Sequence, residues 1–174
     1  MLKHWNKLIN TDCLVLRVGT HIQYPIYTVA WSTRTHIYDQ EYVNNEIQQF
    51  DHIDVMIREP EERFVSGVNE YCRINQLPID EVCEAVHNGD LVDRHFAPQY
   101  TWLMNLSRYY TGPITVRPFD YIKKITKCHK NKSVNKIPVP VCRSFVEVDQ
   151  YLTKHYNQTL PLKEIIRKYR NVLS

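Results

Sequence analysis

Short apolar runs alternate along this chain with stretches whose apolar positions recur at helical spacing. Residues 12–18 (DCLVLRV) are apolar and β-branched and predict a strand. Residues 23–31, rich in Tyr, Ile and Val with Pro25 near the start, predict a second strand, and 32–34 a polar loop. Residues 42–50 predict a short helix. The run 52–57 has few polar interruptions, which is the pattern of a strand covered on both faces.

Pro60 follows, and proline suits the first turn of a helix because its missing N–H would have no partner there. Phe64, Val68 and Tyr71/Cys72 then recur at helical spacing and predict a core-facing stripe. A second helix is predicted over 77–87, stopped by Asn88-Gly89, and a third over 98–110. Thr111-Gly-Pro113 breaks the chain before a strand at 114–117 and a helix from about 119 to 127. Residues 131–140 read as a loop with two prolines, and helices near 145–156 and 161–172 finish the chain. Strands alternating with helices predict an α/β sheet with helices on both sides, and 174 residues suit a single domain over 1–174. No repeat or low-complexity tract is present.

The composition, 43% hydrophobic and 24% charged, supplies a globular core. No apolar stretch approaches the roughly 20 residues that cross a bilayer, and Met1 to Lys7 lacks the apolar core of a secretory signal. The expectation is a soluble cytoplasmic protein without a membrane span. Five scattered cysteines without a CxxC, and eight histidines without an HExxH, predict neither a disulfide framework nor a metal site. The four glycines form no GxxxxGK[ST], which argues against an ordinary ATP- or GTP-binding loop. Net charge is +3 but uneven: residues 1–100 hold 8 Lys/Arg against 15 Asp/Glu, and 101–174 hold 14 against 4. Such asymmetry suggests an anionic ligand near the later part of the chain, although a solvated basic face is an equally common source of it.

Candidate chemistry concentrates in IREPEERFVSGVNEY, residues 57–71. Ligands of α/β sheets bind beyond the carboxyl ends of strands, where helix N-termini present unpaired N–H groups. Arg58 sits at that edge by sequence, and Arg63 and Ser66, three apart, share one side of the following helix. An arginine fork and a hydroxyl beside a helix start can satisfy several oxygens of a phosphate. The competing reading pairs Arg58 and Arg63 with Glu59, Glu61 or Glu62 and leaves Ser66 on the surface.

The pattern R-x-P-x-x-R-F-x-S-G-x-x-x-Y, read from Arg58 to Tyr71, resembles the 3′-phosphate motif of sulfotransferases that use 3′-phosphoadenosine 5′-phosphosulfate (PAPS), in their carbohydrate-modifying, Golgi-type branch. Asp93-Arg-His-Phe-Ala-Pro-Gln-Tyr100 is similar to the D-x-H-x-x-P-Q signature of that branch, and His129-Lys-Asn-Lys-Ser133 to its later H-x-N-x-S loop. Order and spacing correspond over roughly residues 50–160. The resemblance implies a P-loop-like, three-layer α/β domain with a mainly parallel sheet flanked by helices. It implies that Arg58 and Ser66 hold the 3′-phosphate, that Arg63 is a structural partner, and that Ser133, with Lys132 beside it, approaches the nucleotide. The family also has an early loop, approximately P-K-x-G-S/C-T/S, around the 5′-phosphosulfate. Here the matching stretch, residues 24–33, keeps Ser32 and Thr33 as hydroxyl donors but puts Thr28 where the lysine stands and Ala30 where the glycine stands. Arg34, or a lysine of the 123–136 region, would have to replace the missing cation.

The implied activity moves a sulfuryl group from PAPS to a hydroxyl acceptor, carbohydrate being the implied class. Positioning and charge stabilisation do most of such work, and a base takes the acceptor's proton. His95 is the candidate base, with Glu70 and Asp93 as fallbacks; the competing role for His95 is to order the Pro98–Gln99 turn. Tyr100, Trp102, Tyr109 and Tyr110 could line an acceptor groove or simply pack in the core. Two other readings remain open: a catalytically degenerate relative that binds a nucleotide or anionic glycan, and, least favoured, a nucleic-acid binder, for which no recognisable module is present.

Overall fold

The computed structural model describes residues 12–26, 39–121, 124 and 136–173. Six strands form one sheet: β1 (Leu14–Val18), β2 (His21–Tyr24), β3 (Gln40–Val43), β4 (Ile53–Ile57), β5 (Pro113–Pro118) and β6 (Thr159–Pro161), in the order β3-β1-β2-β4-β5-β6. The α-helices bounded among the described residues are α1 (Pro60–Asn75), α2 (Ile79–His87), α3 (Gln99–Leu106), α4 (Arg143–Thr153) and α5 (Leu162–Leu173). The α/β class expected from the alternation of elements is therefore present.

The sheet is mixed, which corrects the expectation of a mainly parallel one. Only β2–β4 and β4–β5 pair in parallel, while β1–β2, β1–β3 and β5–β6 are antiparallel. Local chemistry produces the antiparallel flank. Gly19, at φ 60, allows the tight turn that folds β2 back on β1, a backbone angle that costs a glycine little. The helix expected over 42–50 is also corrected. Gln40–Val43 is an edge strand with Tyr42 opposite Val15, followed by a 3-10 turn at Asn44–Gln49. Asn44 takes φ 48, and its side-chain oxygen accepts from the Cys13 N–H at 3.1 Å while its amide donates to Asp12 at 3.0 Å. That side-chain competition for the backbone closes the strand pair and leaves too few residues for an α-helix. The short strands β3 and β6 carried no sequence signal.

β4 meets its expectation: all five residues are buried. Ile53, Val55 and Ile57 lie with Ile114, Val116 and Tyr24 on the face whose apolar cluster includes Leu103, Leu106, Leu152, Leu162 and Ile165, so α3, α4 and α5 pack there. A second cluster joins Phe64 and Val68 of α1 to Val82 and Val86 of α2, to Phe96, and to Phe145 and Val146 of α4. On the opposite side of β4, the buried Asp54 carboxylate meets Arg117 at 3.3 Å, with His52 at 3.5 Å and His21 at 3.7 Å. The helix expected from 119 begins as a 3-10 turn at Phe119–Tyr121, and most of its remainder lies outside the described residues. Among the described residues no helix is long and apolar enough to cross a membrane.

β2, β4 and β5 run parallel, with Tyr24 opposite Val55 and Ile57 opposite Pro118. Their carboxyl ends therefore share one rim of the sheet. The chain leaves that rim at Pro25, at Arg58 and at Phe119.

Candidate functional site

The rim after β4 is built by α1. Glu59 accepts from the Glu62 N–H at 3.0 Å and caps the helix, Pro60 occupies its first turn, and Glu61 and Glu62 complement the positive end of its dipole. The C-terminal end stops at Gln76, in the left-handed conformation, with Arg73 in the last turn.

Arg58 stands at the strand end with its side chain largely buried. Its guanidinium carbon lies 5.4 Å from the centre of the Phe119 ring, so the arginine leaving β4 packs on the aromatic leaving β5. Glu62, 70% exposed, makes a loose contact with Arg58 Nε at 4.0 Å. Burial pulls the Arg58 pKa down, and the charges of Glu62 and Glu59 oppose that shift. Ser66 is only 8% exposed, and its buried hydroxyl has no hydrogen-bond partner among the described residues. The competing expectation of a surface serine therefore does not hold. Buried hydroxyls are nearly always satisfied, so one that is not needs an explanation.

Arg63 has a different task. It is 2% exposed, and its guanidinium donates to the Ala97 carbonyl and, at 3.5 Å, to that of Arg94. Burial lowers its pKa to about 10, while the charge of Asp149 acts in the opposite sense. Asp149, from α4, accepts from the backbone N–H groups of Gln99 at 2.7 Å and Tyr100 at 3.0 Å, so it caps the start of α3. Burial raises the Asp149 pKa to about 6 against the pull of Arg63 and these N–H groups. Gln99 completes the bracket: its side-chain oxygen accepts from the Arg58 N–H and its amide donates to the Arg58 carbonyl, both at 2.8 Å. Two segments separate in sequence, 58–71 and 93–100, are thus clasped together by Arg63, Gln99 and Asp149.

The approach is close. A Cβ on Gly67 would fall on the His95 carbonyl, so only glycine lets the 93–97 segment lie against α1 beside Ser66. His95 Nδ1 contacts the Asp93 carboxylate at 2.5 Å, and Asp93 also accepts from the His95 N–H at 2.8 Å. These hydrogen bonds and the imidazole charge hold Asp93 below the usual carboxylate range, against the opposing and largest effect of its burial. Glu70 is occupied by Arg73, at 2.5 and 3.0 Å, and its pKa is lowered first by that bond and slightly by His95. The His95 backbone therefore lies against α1 at Gly67, and its imidazole acts weakly on Glu70. Tyr100, Trp102 and Tyr110 are core residues, 7% exposed or less, and Tyr109 is partly buried against the same cluster.

Of the residues expected to act, Arg58 stands just before α1, Ser66 lies within it, and the backbone of His95 packs against it at Gly67. Ser32, Thr33, Ser133 and Lys132, with Thr28, Ala30 and Arg34, lie outside the described residues. Among those described, no group of three or more His, Cys, Asp or Glu could hold a metal ion. Set against protein-family models, curated proteins and solved structures, the chain matches nothing. The likeness to sulfotransferases thus stands on its quoted motifs. Asp149, the acceptor at the centre of the clasp, escaped sequence reasoning because a lone aspartate in an ordinary amphipathic helix carries no signal.

Proposed function

We propose that this chain holds the 3′-phosphate of PAPS with Arg58 and Ser66 and moves the sulfuryl group to a hydroxyl acceptor, of carbohydrate class. The observation that carries the reading is the buried Ser66 hydroxyl with no partner among the described residues, on the helix that begins beside Arg58. A phosphate oxygen supplies what that hydroxyl lacks, and a guanidinium favours the same anion. The P-loop-like, three-layer architecture belongs to this proposal and is supported by the parallel β2–β4–β5 unit, whose carboxyl ends share a rim.

PAPS supplies the activated sulfuryl group. The chain's part is to orient it, stabilise charge and accept a proton. Asp93, engaged with His95 Nδ1, fixes the ring so that Nε2 is the nitrogen to take the acceptor's proton. Arg63 and Asp149 stand behind the site and keep its two segments in register. Thr28 and Ala30 in the early loop favour a second reading, a relative that binds the nucleotide without transfer.

Calorimetric titration with adenosine 3′,5′-bisphosphate tests the proposal. Saturable binding is expected, with loss in Arg58→Ala; no binding at millimolar nucleotide would defeat it. Incubation with radiolabelled donor and hydroxyl acceptors then separates the readings: labelled product supports transfer, and binding without product supports the second.

A further inference from the structure

The parallel ladders of β4 stop short of Arg58. The last partner of β4 in β2 is Tyr24, opposite Val55, and the last in β5 is Pro118, opposite Ile57. Proline stands at both ends, as Pro25 after β2 and as Pro118 itself, and proline has no N–H to give a carbonyl of β4. Both backbone polar groups of Arg58 are nevertheless paired, by Gln99. Its side-chain oxygen accepts the Arg58 N–H and its amide donates to the Arg58 carbonyl, each at 2.8 Å. Within a sheet, such a pair of bonds comes from a neighbouring strand. Here one planar amide, with a donor and an acceptor at fixed spacing, supplies it. Gln99 is itself fixed. It is fully buried, its backbone N–H donates to Asp149 at 2.7 Å, and its amide nitrogen lies 3.5 Å from the same carboxylate oxygen. The peptide before Arg58 is held as well, by the Tyr156 hydroxyl, which donates to the Ile57 carbonyl at 3.3 Å.

We propose that Gln99 is a positioning residue of the anion site: its amide stands in for a neighbouring strand at the rim and so sets the direction in which the Arg58 side chain leaves the backbone. Backbone conformation decides which side-chain rotamers a residue can adopt, and a residue past the end of a strand has no ladder to fix it. With the peptide units on both its sides held, Arg58 lays its guanidinium on Phe119, 5.4 Å from the ring centre. An arginine recognises phosphate oxygens through a planar fork, so its direction and plane matter along with its charge. Ordering the residue before a ligand arrives also removes that entropy loss from binding. The effect on affinity rests on the anion-binding reading of Arg58 and Ser66, whereas the posture of Arg58 does not.

The experiment compares full-length wild type with Gln99→Met, Arg58→Lys and the Arg58→Lys/Gln99→Met double variant. Methionine keeps the length and bulk of the side chain and removes the amide. Gln99→Asn, whose amide is one methylene too short to reach both groups, takes its place if Gln99→Met does not fold. Calorimetric affinity for adenosine 3′,5′-bisphosphate is expected to fall about tenfold in Gln99→Met. In the Arg58→Lys background the same change is expected to cost less than about twofold, because an ammonium on a flexible stem has no fork to aim. A merely structural glutamine would lower affinity by the same factor in both backgrounds. That result, or unchanged affinity in Gln99→Met with wild type binding, overturns this inference and leaves the Arg58–Ser66 reading intact. Should wild type not bind the nucleotide, that reading fails, and nitrogen-15 relaxation of the arginine Nε–H signals decides this one. An Arg58 signal that is ordered in wild type and averaged in Gln99→Met, with Arg63 unchanged, upholds the positioning. An Arg58 signal alike in both proteins, or loosened together with Arg63, overturns it.

Discussion

Replacing Ser66 by alanine should make the empty protein more stable and the liganded protein less so. The Ser66 hydroxyl is buried and makes no hydrogen bond with a described residue, and a buried polar group left unsatisfied costs about 1–3 kcal/mol. Alanine removes that cost, and inside α1 it also has the better helix propensity, by up to about 0.5 kcal/mol. The missing oxygen leaves a small gap that offsets part of the gain. A net rise of about 1–2 kcal/mol corresponds to roughly 3–6 °C in melting temperature for a chain of this size. Adenosine 3′,5′-bisphosphate at a hundred times its dissociation constant would stabilise wild type by about 2.7 kcal/mol, and Ser66→Ala by less at the same concentration. Scanning calorimetry of both proteins, with and without nucleotide, should therefore show the gap between the two melting temperatures narrowing or reversing on addition. If Ser66→Ala melts below wild type without ligand, the hydroxyl has a structural partner. If the nucleotide shifts both proteins equally, the hydroxyl takes no part in binding. Either result refutes the reasoning.

Gly67→Ala would drive a methyl group into the His95 backbone and is expected to cost about 1–3 kcal/mol in urea unfolding; a neutral result would mean that α1 and the 93–97 segment are not in close contact. Asp149→Ala leaves the Gln99 and Tyr100 N–H groups at the start of α3 without their acceptor, at a cost of about 1–3 kcal/mol by the same assay; a neutral result would dismiss the clasp. Burial raises the Asp149 carboxyl to about 6 from an ordinary 3.8, so the folded state binds that proton more tightly. The extra stability that comes from holding this proton is complete below about pH 4 and is lost as pH rises through about 6, while the cap on α3 remains, so wild type should lose stability relative to Asp149→Asn across that window. A difference that stays level there removes the burial argument. His95→Gln should keep bisphosphate affinity within about twofold while transfer falls by about a hundredfold or more, and full transfer activity would exclude His95 as the base.

Helix positions were legible because amphipathic spacing is local. Pro60, the Phe64–Val68 stripe and the Asn88-Gly89 stop each act within a turn or two, and α1 and α2 begin or end within two residues of where those signals put them. β3 and β6 were not legible because short edge strands are defined by their partners, Val15 for Tyr42 and Ile114 for Leu160, rather than by their own residues. The proportion of parallel pairing was misjudged for the same reason: a hairpin at Gly19 and an Asn44 side chain decide it, and neither alters the hydrophobic pattern.

What the chain's residues determined unaided was the α/β class, the buried strand ending at Arg58 and the helix that carries Ser66. Periodicity and capping act over a few residues and need no distant partner. Only the tertiary structure decided that Arg63 is a buried brace and that Asp149 and Gln99 lock two remote segments together. These are contacts between residues about thirty to fifty positions apart. Their energies come from removing charged and polar groups from water together, which happens only when the whole chain has packed.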